Sequence, residues 1–310
     1  MARLLQCLME NRYSALGFSS SVRSVSRADE KTEESQIFNS GAWCMRLPTV
    51  FALLFLMAFI VMSSAASATV YSADDIHRLI AIKSENDIYG SLNWSDSVNP
   101  GEFDCVDWVD YSGTNRVGEL YLSFRGLEGS LNLEDLDKLT RLSAEWNGLS
   151  SLEVSSNTAL LFLIVPGNHL PVLDVSSNTA LLYIDVVSNE LTALDVSRNT
   201  ALQDLYVGYN QLTALDVSRN TVLQTLDVYG NLLPDLDVSR NTALQPLNVA
   251  GNRLTALDVS RNTALQTLNV SGNRLTALDV SSNTALQKLF VGSNQLTALD
   301  VSSNTALQYL

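Results

Sequence analysis

Between residues 139 and 310 the apolar and polar positions recur with a period of 21 residues. The unit 265–285 reads LQTLNVSGNRLTALDVSSNTA, apolar at positions 1, 4, 6, 11, 14 and 16, with Asn at 9 and 19. Short alternating runs such as Leu268-Asn269-Val270 and Leu278-Asp279-Val280 send side chains inward and outward in turn, as strands do. A fixed period of this length predicts a solenoid, each unit one turn stacked on the next. Parallel ladders about 4.8 Å apart would join the turns, so the eight units from 139 to 306 predict roughly 40 Å of array.

Two polar columns accompany the apolar ones. Asn147, Asn168, Asn189, Asn210, Asn231, Asn252, Asn273 and Asn294 fall at position 9, where the chain must turn. Asn157, Asn178, Asn199, Asn220, Asn241, Asn262, Asn283 and Asn304 fall at position 19. A side-chain amide can bond backbone groups of its own and the adjacent turn that would otherwise be buried unpaired. Both columns are therefore expected to be structural.

Residues 69–116 depart from the repeat. Ser72 is a predicted N-cap for a helix over 73–87, with Asp74 and Asp75 in its first turn and Ile76, Leu79, Ile80 and Ile82 on its apolar face. An aromatic loop carrying Trp94, Phe103, Trp108 and Tyr111 follows. The end of a solenoid exposes core and strand edges, so this segment is expected to cap it. The order of helix, LNW and CVDWVDYSGTNRVGELYLSFRGLEGSL resembles the N-terminal cap of leucine-rich-repeat ectodomains. The pattern LxxLxVxxNxLxxLDVxxNxx over 139–310 resembles the 21-residue bacterial leucine-rich repeats called IRREKO repeats, and 117–138 a longer, more general leucine-rich unit. The resemblance implies a mainly β fold with short turn segments, a parallel sheet on the concave face and a helical cap. It also implies extracellular binding or adhesion. Caps of this kind carry a second cysteine near Tyr111, which is missing here.

Upstream, residues 45–68 combine a short basic start, an unbroken apolar run and an Ala66-Ser67-Ala68 ending, the layout of a cleaved signal peptide. The run 47–65 is also nearly long enough for an uncleaved membrane anchor, and membrane contact is expected only in that case. Residues 1–44 are polar and read either as an upstream extension that precedes the true start at Met45 or as a cytoplasmic tail. Cys7 and Cys44 lie there, leaving Cys105 alone, without a disulfide framework or metal spacing. A buried small apolar residue is the simpler reading of Cys105. At the other end the chain stops four residues into a new unit, so further repeats or a cap are expected to follow Leu310.

The formal net charge is −14, and residues 69–310 hold 28 acidic against 13 basic groups. Such a surface repels a phosphate backbone, which argues against nucleic acid. Catalysis needs a unique constellation, and repetition supplies none: His77 and His169 have no nucleophile or ligand set around them, and no cofactor is indicated. Position 15 carries Glu153 and then Asp174, Asp195, Asp216, Asp237, Asp258, Asp279 and Asp300, a file of like charges. Serine and threonine donors and Arg198, Arg219, Arg240 and Arg261 are expected to offset it; calcium bridging is the alternative, although the glycine-rich calcium nonapeptide is absent. The threonine file from Thr158 to Thr305 raises ice binding as a third class, spoiled by its charged neighbours.

Variation is concentrated at positions 3, 5, 7, 8 and 10. If the first half of each unit forms the concave sheet, as the resemblance implies, these side chains face a binding surface. Aromatic residues cluster from Trp146 to Tyr229, mixed with carboxylates. The expected site is Trp146, Phe162, Ile164, Tyr183, Asp185, Tyr206, Tyr209, Asp227 and Tyr229, suited to a protein or carbohydrate partner.

Overall fold

The structure, a computed structural model, describes residues 71–86 and 106–310. The leader, all three cysteines, Trp94 and Phe103 lie outside the described residues. Helix α1 (Ala73–Asn86) starts where Ser72 Oγ accepts the Asp75 amide at 3.3 Å and buries Ile76, Leu79 and Ile82. Ile80 is only half-buried. Asn86 closes the helix by donating through Nδ2 to the carbonyls of Glu128 and Ser130, both at 2.8 Å.

The expected aromatic loop is in part a hairpin. Strands β1 (Val106–Tyr111) and β2 (Thr114–Tyr121) pair antiparallel across Ser112 and Gly113, both at positive φ, the turn type that matches strand twist. The cap is latched to the array by Asp75, which is fully buried. Its carboxylate accepts from Arg116 Nε at 2.9 Å and from the Val117 amide at 2.6 Å, while Arg116 also reaches Asp137.

Beyond the hairpin each unit contributes one short strand to a single sheet: β4 (Arg141–Ser143), β6 (Phe162–Ile164), β7 (Tyr183–Asp185), β8 (Asp204–Tyr206), β9 (Thr225–Asp227), β10 (Pro246–Asn248), β11 (Thr267–Asn269) and β12 (Lys288–Phe290). These pair in parallel and in register from β2 onward, giving a ten-stranded sheet with β1 at its edge. The central residue of each of these three-residue strands is buried and its flanks are at least partly exposed, except Ser143 of β4, which is buried. The second-half runs expected as strands are extended but unpaired, except at the start. There β3 (Glu128–Asn132) and β5 (Gly148–Glu153) form a two-stranded sheet. In the later rungs one backbone bond per turn joins this side of the array, as from Gln295 N to Leu275 O at 2.9 Å.

Leucine and valine columns fill the interior, Leu265, Leu268, Val270, Leu275 and Val280 all at 0% exposure. Each such side chain contributes about 2 kcal/mol by leaving water. The Asn columns complete the rungs. Asn168 Nδ2 donates to Val165 O of its own rung and Ala144 O of the previous one, both at 3.0 Å, while Oδ1 accepts Leu149 N at 3.1 Å. Asn189, Asn210, Asn231, Asn252, Asn273 and Asn294 make equivalent bonds. Asn147 accepts from the amides of both Arg125 and Leu127 at 3.0 Å.

Candidate functional site

The open face of the sheet is set by strand alternation: positions 3 and 5 flank a buried position 4. On that face Arg141 lays its guanidinium over Phe162, 4.1 Å from the ring centre. Phe162 meets Tyr183 at 6.3 Å, and Tyr183 meets Tyr206 at 5.4 Å. In-register pairing makes this ladder, because it brings Arg141, Phe162 and Tyr183 into one file. Ile164 shares the face beside Asp185, its partner on the next strand.

Carboxylates are interleaved with the rings. Asp185 Oδ1 accepts the Val187 amide at 3.1 Å, and Asp227 Oδ1 accepts the Tyr229 amide at 2.9 Å. Asp227 Oδ2 also receives Asn248 Nδ2 at 2.9 Å. Burial, with a smaller push from Asp227, holds Asp185 above the ordinary carboxylate range. Burial raises Glu145 too, and Asp185 adds to it. Oε2 of Glu145 is shut off from solvent and meets no donor among the described residues. Burial likewise raises Tyr183 and Tyr206, neighbouring carboxylates adding to the effect. The expectation from sequence omitted Glu145 and Arg141 from the site. The signal for Glu145 was available: position 7 otherwise holds Pro166, Val187, Gly208, Tyr229, Ala250, Ser271 and Gly292, none of them charged.

Where the chain leaves the sheet, position 8 adopts positive φ in nine consecutive rungs. Gly167, Gly230, Gly251 and Gly272 fill it easily. Phe124, Trp146 and Tyr209 fill it with aromatic side chains at φ 58°, 52° and 50°, and Ser188 and Ser293 do so with serine. The three rings are more than half exposed, Trp146 and Tyr209 each at 56%. Trp146 covers Gly167 so closely that a Cβ there would stand 2.4 Å from Cε3. Tyr209 lies against Gly230 and meets Tyr229 edge-on at 4.7 Å. Phe124 was not singled out from sequence, because a phenylalanine gives no hint of a left-handed turn. Trp146, Tyr209 and Tyr229 therefore line the rim, while Phe162, Ile164, Tyr183, Asp185, Tyr206 and Asp227 lie on the sheet.

Elsewhere the position-15 file is settled locally. Hydroxyl and amide of the serine two residues on hold Asp174, Asp195, Asp216, Asp237, Asp258 and Asp279 below the usual carboxylate range. The arginines of the same turns act more weakly, through space. Among the described residues no group of three or more His, Cys, Asp or Glu converges to hold a metal ion. The threonine file lies in turns rather than on a strand. Among the described residues no helix is long and apolar enough to cross a membrane.

No protein-family model and no curated protein sequence matches the chain. Solved structures do. The functional domain of InlJ from Listeria monocytogenes, which includes a cysteine ladder, is 34% identical with a TM-score of 0.53, over 62% of this chain. This chain spans about half of that domain, 48% of its length. It has no cysteine beyond residue 105, and its ladders are of asparagine. Internalin C2 of the same organism is 22% identical with a TM-score of 0.52, over 57% of this chain and 82% of its own. The leucine-rich-repeat ectodomain of the Arabidopsis receptor kinase HAESA, in complex with an N-terminally extended IDA peptide hormone, reaches a TM-score of 0.62 at 22% identity, over 76% of this chain and 44% of its own. At 22% identity these two likenesses concern the fold alone. With its 21-residue spacing, parallel sheet and short N-terminal helix, the chain is a leucine-rich-repeat protein.

Proposed function

We propose that the chain is a recognition protein that holds a protein partner on the open face of its sheet, outside the cell. The observation that carries this reading is the rim. A left-handed conformation costs a residue with a side chain roughly 1–2 kcal/mol. Four sister rungs avoid that cost with glycine and two meet it with Ser188 and Ser293, while Phe124, Trp146 and Tyr209 meet it with rings left more than half in water. Trp146 packs on Gly167 and Tyr209 on Gly230 and Tyr229, yet more than half of each ring stays open to a contact with something else. The adjoining ladder of Phe162, Tyr183 and Tyr206 supplies rigid rings of the kind that dominate interface energies. The apolar leader at 45–68 and the HAESA–peptide complex support an extracellular, polypeptide-binding setting.

The test uses a partner identified by crosslinking from a photoreactive residue at position 183. Tyr183→Ala with Tyr206→Ala should weaken that partner at least tenfold. Trp146→Gly should also weaken it without lowering the melting temperature, because it relieves the strained turn. Affinity unchanged in both variants sinks the reading. A glycan array probed with the same proteins reports a carbohydrate partner, which would redirect it.

A further inference from the structure

We propose that the part of the partner held here is an extended, basic stretch of polypeptide, its lysine or arginine side chains received between the ring ladder and the carboxylates of Glu145, Asp185 and Asp227. This rests on the protein-binding reading above and names the chemistry of the partner.

The first argument is that the charges are surplus to folding. Asp185 and Asp227 cap the amide two residues on, and so do Asn248 and Asn269 at the same position, accepting from Ala250 N at 3.3 Å and Ser271 N at 3.1 Å. A neutral amide therefore satisfies the turn. The carboxylate at 185 adds desolvation and the repulsion of Asp227 to the free protein, the one at 227 gains only the amide of Asn248 in return, and Glu145, whose Oε2 meets no donor among the described residues, adds more.

The second argument is that the protein displays one such cation already. Arg141 stacks on Phe162 and stands 3.7 Å from Glu119, so ring and carboxylate receive a guanidinium together. The next rings along, Tyr183 and Tyr206, are flanked by Asp185, Asp204 and Asp227. Positions 3 and 5 of β6 to β9 bear no basic residue of their own. A metal ion does not fit the charge, since no metal-ligating group of three converges among the described residues. A basic side chain does, and the acidic excess of residues 69–310 would steer it in. From Glu145 to Asp227 the site crosses five rungs, about 19 Å, which an extended chain spans with about six residues.

The probe is a fluorescent ten-residue peptide of alternating Arg and Ser, set against Glu–Ser and Gln–Ser counterparts. Binding to the purified protein is read by anisotropy at two salt concentrations. The Arg–Ser peptide should bind, and more weakly in high salt. The triple variant Glu145→Gln, Asp185→Asn, Asp227→Asn should lose at least tenfold. A charge-matched triple in the turn file, Asp195→Asn, Asp216→Asn, Asp237→Asn, should change affinity less than twofold. Equal losses in the two triples would mean attraction to net charge alone and overturn the inference, as would no Arg–Ser binding or equal Glu–Ser binding. The two readings fail separately. A crosslinked partner sensitive to Tyr183→Ala and Tyr206→Ala but indifferent to the face triple removes the basic peptide and leaves recognition standing; indifference to both sets removes both.

Discussion

Asn220 shows what one side chain does for a rung. Its Nδ2 donates to Val196 O at 3.0 Å and Asn199 O at 2.9 Å, while its Oδ1, like that of all eight position-19 asparagines, is buried without a partner. The column therefore works as a donor. Asn220→Ala should cost about 2 kcal/mol in urea unfolding, because each carbonyl keeps its other bond. Asn220→Asp should cost more, since it aims a buried carboxylate at two carbonyls. The exposed neighbour Thr221→Ala should stay within about 0.5 kcal/mol. If Asn220→Ala is as mild as Thr221→Ala, the donor role is wrong. A sequence shows that such a column exists, but not which half of the amide does the work.

At the scale of the element, three-residue strands are too short to persist alone and hold only as part of the stack. Their ends go with the left-handed turn at position 8, which Asp185, Asp227, Asn248 and Asn269 support by capping the amide of position 7, and the strand of that last rung occupies Thr267–Asn269 rather than Leu268–Val270. Period and alternation were enough to read the rungs and the outward positions. They could not separate a ladder from a run joined to its neighbours by a single backbone bond per rung, which is why Leu278-Asp279-Val280 misleads. The Ser112-Gly113 hairpin was open to reading as a two-residue turn between alternating runs. The strain at Trp146 was not, because its sign lay in the glycines of other rungs.

The two sets of carboxylates give opposite pH slopes. Those of the turn file have folded pKa values below their unfolded ones. Their contribution is fully present above the unfolded value near 3.9 and is lost as pH falls through the folded value. Glu145 and Asp185 have folded values above the unfolded ones, so their ionisation opposes folding at neutral pH, and acidification through the raised values removes that opposition. Melting temperature should therefore rise slightly from pH 7 toward the raised values and fall below about pH 4. Glu145→Gln with Asp185→Asn should abolish the rise and keep the fall. A rise that persists in this double variant would contradict the assignment.

For the whole molecule, nearest-neighbour stacking makes rungs interchangeable. Deleting residues 244–264 joins Ala243 to Leu265 and restores the motif, so the shortened protein should fold with unchanged circular dichroism per residue and a lower urea midpoint. Deleting 20 residues instead should displace every later apolar residue from its column and expose the distal rungs to protease. Equal behaviour of the two deletions would argue against a stack of equivalent units. The asparagine bonds add a direction. Each position-9 and position-19 amide reaches its own rung or the one before it: Asn168 to Ala144 O, Asn178 to Val154 O and Asn157 O, and so on to Asn304. The donor partners of these asparagines thus lie in chain that has already been synthesised. Folding can follow translation or export rung by rung, each arriving turn supplying the acceptors that the position-6 and position-8 amides of the turn before it still lack, as Phe290 O and Gly292 O do for Val270 N and Gly272 N.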